Sequence, residues 1–96
     1  MASETAKALL CANLGFTVST APAAVMLLIE NDLDTAAADL ERIGIEIDED
    51  AAADRNLRVM FAQWLYQKRK PGEGRPPMLK IQINDRKVAK ATEGSA

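Results

Sequence analysis

The sequence predicts an all-α fold, a small bundle of three main helices followed by a short C-terminal helix or extended segment. Three observations carry this. Hydrophobic residues make up 48% of the 96 residues while aromatics make up only 4%, and alanine and leucine dominate the apolar set; that composition favours helices over a sandwich of aromatic and β-branched strands. Apolar residues recur at three- and four-residue spacing in two long segments. Helix-stopping glycines follow two apolar stretches, at Gly15 and Gly44. A chain of 96 residues has room for one core. We place the helical domain at 1–88 and expect residues 89–96, small and polar, to be a flexible tail.

Each element has its own local reason. Residues 3–13 form the first helix, capped by Ser3, with Glu4 at the positive end of its dipole. Leu9, Leu10 and Leu14 supply its apolar side, and Cys11 is expected to be a small packing residue. The second helix is expected to be capped by Thr20, to carry Pro22 in its first turn and to run to Ile43. Val25, Ile29, Leu33, Ala36, Leu40 and Ile43 fall on one stripe; Glu30, Asp34 and Glu41 fall on the other side. Those acids are either a solvated face, a face for a basic neighbour, or a negative wall that repels a passing polyanion.

The third helix is expected over 51–70, capped by Asp48 or Asp50. Its main stripe is Leu57, Met60, Phe61, Trp64 and Leu65. A second stripe, Val59, Ala62 and Tyr66, lies nearly opposite. A helix apolar on two sides is buried on two sides, against either the rest of the chain or a neighbouring subunit. KRKPGEGRPP is a loop. Beyond it, Met78, Leu79, Ile81 and Ile83 suit a strand, whereas Met78, Leu79, Gln82 and Ile83 suit a helical turn behind Pro77; the helical reading is favoured.

Several function classes are disfavoured by residue inventory. The chain has no histidine and one cysteine, which excludes imidazole-based triads, His-containing zinc sites and an intrachain disulfide. A lone cysteine suits a reducing compartment, and no signal-peptide pattern or membrane-length apolar run is expected. GEG lacks the spacing and the Lys-Ser/Thr pair of a phosphate loop, and IEIDED lacks the spacing and glycine of a calcium loop. The carboxylates are scattered over caps and exposed faces, so neither an enzyme nor a bound cofactor or metal is expected.

Charge is unevenly distributed. Residues 1–67 hold 4 basic and 11 acidic side chains, while residues 68–96 hold 8 basic and 3 acidic ones. An acidic body with a basic end suits head-to-tail association of copies. It also suits a small helical nucleic-acid-binding module using residues 68–90, although the acidic pI of about 5.1 counts against that alternative.

The stretch from Leu57 to Val88, LRVMFAQWLYQKRKPGEGRPPMLKIQINDRKV, resembles the small head–tail connector proteins of long-tailed bacteriophages. The resemblance lies in Val59-Met60-Phe61, Trp64-Leu65-Tyr66-Gln67-Lys68-Arg69, Gly72-Glu73-Gly74, Pro76-Pro77-Met78-Leu79 and Asn84-Asp85-Arg86. The preceding LERIGIEIDED is also similar, so about residues 30–88 are covered. Pro77, in place of a basic residue, and Asp85, in place of a second Asn, depart from the family pattern, as do the less bulky Ile83 and Val88.

The resemblance implies a mostly helical, non-catalytic protein of the virion, assembled in the host cytoplasm. It implies a ring of about a dozen copies under the portal protein. That ring extends the channel for double-stranded DNA and docks a stopper or tail-completion protein. The candidate subunit or portal interface is then Val59, Ala62, Tyr66, Lys68, Arg69, Lys70, Arg75, Met78, Leu79 and Arg86. Glu30, Asp34 and Glu41 would face the channel or a neighbour.

Overall fold

The computed structural model describes residues 4–48, 50–68 and 74–94, the side chains of 93 and 94 excepted. Four helices follow in order: α1 (Glu4–Asn13), α2 (Ala23–Ile43), α3 (Ala52–Gln67) and α4 (Pro77–Gly94). The described residues contain no strand. The chain is an all-α bundle, as its composition and periodicity predict.

The α3 helix is the axis of the packing, and α1, α2 and α4 all lie against it. The α2 stripe is used as the period requires: Ile29, Leu33, Ala36 and Leu40 are fully buried, with Val25 and Ile43 at the core's edge. Phe61 and Leu57 of α3, Ala6, Leu10 and Cys11 of α1, and Leu79 and Ile83 of α4 complete the interior. Each large apolar side chain withdrawn from water contributes about 1.5–3 kcal/mol.

Helix ends differ from expectation at three places: the starts of α2 and α3, and the end of α3, which stops at Gln67 with Lys68 already extended rather than running to residue 70. Thr20 does not cap α2. Its hydroxyl closes a local turn with Thr17 (Oγ1–Oγ1 2.7 Å), and the cap position is Pro22, without a side-chain hydrogen bond. A proline there loses nothing, because the first N–H groups of a helix have no intrahelical partner. Neither Asp48 nor Asp50 caps α3; the cap is Ala51. Asp48 instead folds the preceding turn, its Oδ1 accepting from the N–H of Asp50 at 3.0 Å. Gly44 ends α2 as expected, at φ 112°, and the N–H of Ile45 reaches back to the Leu40 carbonyl at 2.8 Å. That reversal turns Ile45 into the core, where it is fully buried.

The largest correction is at the C-terminal end. The segment is helical, as favoured, but it is not short: α4 spans 18 residues and reaches Gly94, so the expected tail over 89–96 is helix through its first six residues. The continuation follows from Lys90, whose ammonium is tied to α3 and extends the packed face by nearly two turns beyond Ile83. The expected Ser3 cap lies outside the described residues.

Candidate assembly surface

The residues singled out from sequence fall into three groups. Val59, Ala62 and Leu79 are core residues, 4%, 0% and 1% exposed, and Tyr66 is half-buried against the core. The second stripe of α3 is therefore covered by the chain itself. Asn13 of α1 donates to Gln63 of α3 at 3.2 Å, and Leu9 and Asn13 border Val59. As candidate subunit contacts, Val59, Ala62 and Leu79 are corrected to interior positions, because the chain's own helices already bury the α3 residues Val59 and Ala62 and the α4 residue Leu79.

The second group is engaged in ion pairs. Arg86 belongs to a cluster centred on Asp54. Its Nε donates to Asp54 Oδ1 at 2.9 Å and its Nη2 lies 2.7 Å from the same oxygen. Lys90 Nζ lies 2.6 Å from Oδ2, which also accepts from the N–H of Asp48 at 2.9 Å. Glu30 accepts from Lys7 at 3.0 Å, and the ammonium of Lys7 is held protonated beyond its usual range by Glu30 and Glu4. Asp34 accepts from Arg58 Nη2 at 3.2 Å. Glu41 is exposed on the rim of a polar cleft shared with Asp34, Glu46 and Arg58.

The third group is exposed. Lys68 sits 5.1 Å above the Trp64 ring, and the guanidinium of Arg75 sits 5.5 Å above Phe61. Both cations therefore fold back over aromatic faces at the end of α3. Met78 is 61% exposed. Arg69 and Lys70 lie outside the described residues.

Two buried charged residues escaped the sequence reading. Asp54 is fully buried and Arg58 is 3% exposed. Arg58 crosses to α2, donating from Nε to the Leu33 carbonyl at 2.8 Å. Burial alone raises a carboxylate's pKa. At Asp54 that effect is outweighed by Lys90, the Asp48 amide and Arg86, which together hold its pKa below the usual carboxylate range. A signal existed for both. Asp54 lies three and seven residues before Leu57 and Phe61, and Arg58 lies seven before Leu65, so each charge sits inside an apolar stripe.

A cleft of about 370 Å³ opens between α3 and the start of α4, lined by Met60, Trp64, Met78 and Leu79 among others. A smaller cleft between α1 and α3 adjoins it through Met60 and Gln63. Together they border a side of α3 that none of the described helices covers, lined by Asn13, Asn56, Gln63, Gln67 and Lys68 as well as by apolar side chains. Among the described residues no three His, Cys, Asp or Glu side chains are grouped to hold a metal ion, and no helix is long and apolar enough to cross a membrane. Comparison with family models, curated proteins and solved structures finds no match to this chain.

Proposed function

We propose that this protein is a structural head–tail connector. In this reading it forms a ring under a phage portal, extends the DNA channel and offers a docking surface to a stopper or tail-completion protein. The observation that carries the reading is the ordered motif set between Leu57 and Val88. Those motifs occupy the second half of α3, the connection after it and most of α4. The small helical fold is compatible with it. So is the exposed apolar side of α4, where Met78, Ile81 and Val88 recur at helical spacing.

The experiment is to mix the purified protein with its portal and examine the product by electron microscopy. A portal-bound ring is expected; its absence refutes the connector role. The competing reading, a nucleic-acid-binding module, draws on the basic end of the chain. It is weakened because Arg86 and Lys90, two of the eight basic residues there, are committed to Asp54. Duplex binding that falls steeply with salt would favour it.

A further inference from the structure

We draw no further inference here: the strongest candidate, the uncovered side of α3 bordered by the two clefts that share Met60 and Gln63, carries none because nothing in the structure shows what covers it.

Discussion

Along α3, α2 buries Ile29, Leu33, Ala36 and Leu40, whereas α4 buries Leu79 and Ile83 and adds Arg86 and Lys90 at Asp54. The first contact is mostly apolar surface, with Arg58 stitched across it. The second is a short apolar patch completed by charge. Arg86 and Lys90 are like charges four residues apart, which disfavours an isolated helix; the carboxylate between them turns that repulsion into attachment. The α2–α3 pair is therefore expected to unfold only with the whole molecule. The α4 helix is expected to detach at lower cost, because its seat depends on one buried anion.

The largest expected effect tests the first half of this contrast. Leu33→Ala should destabilise the whole chain by about 2–5 kcal/mol, with amide-exchange protection falling together in α1, α2 and α3. Next comes Asp54→Asn, which leaves two cations facing a neutral amide and should cost about 3 kcal/mol. Protection in α4 should collapse while α2 and α3 stay protected; equal losses in all four helices would erase the distinction.

Acid should reproduce that selective loss. The Asp54 pKa is lowered in the folded state, so its stabilisation is complete above the ordinary carboxylate pKa near 4 and is lost as pH falls through the depressed value. Exchange measured across that range should show α4 opening at low pH in wild type, and no such step in Asp54→Asn.

Gly44→Ala should cost about 1–2 kcal/mol in thermal denaturation. The penalty is purely that of an L side chain at φ 112°, since nothing stands near the added Cβ. Smallest of all, Met78→Lys should change stability by no more than about 0.5 kcal/mol, because this side chain contributes to the outside of α4 rather than to its seat.

The contrast also explains what the sequence revealed. The α2 stripe was legible because apolar burial imposes a period, and every predicted position from Val25 to Ile43 faces the core. The Gly44 stop was legible because the left-handed conformation selects glycine. The C-terminal half was harder. Its mean hydropathy is low and its helix is fixed by a charge on another element, a long-range fact with no period of its own. The same reason hid Asp54, which looks like one more acid at a helix start until Arg86 is seen to reach it. Val59 and Ala62 show the converse. An apolar second side is visible in sequence, but whether α1 or a neighbour covers it depends on where a short helix docks. Of the exposed residues, Lys68, Arg75 and Met78 were named from the motifs. The exposed Leu27 and Leu28 were not, because two leucines beside an apolar stripe look like part of it.

Cys11 is fully buried, with its Sγ 3.6 Å from the Met26 sulfur, and burial pushes its thiol pKa up. It is shielded both sterically and by being kept protonated. The wild-type protein thus carries its own clock for the departure of α1 from α2: a thiol reagent modifies this single site only as fast as those two helices part. Pulse labelling followed by mass spectrometry can time that event without any engineered probe.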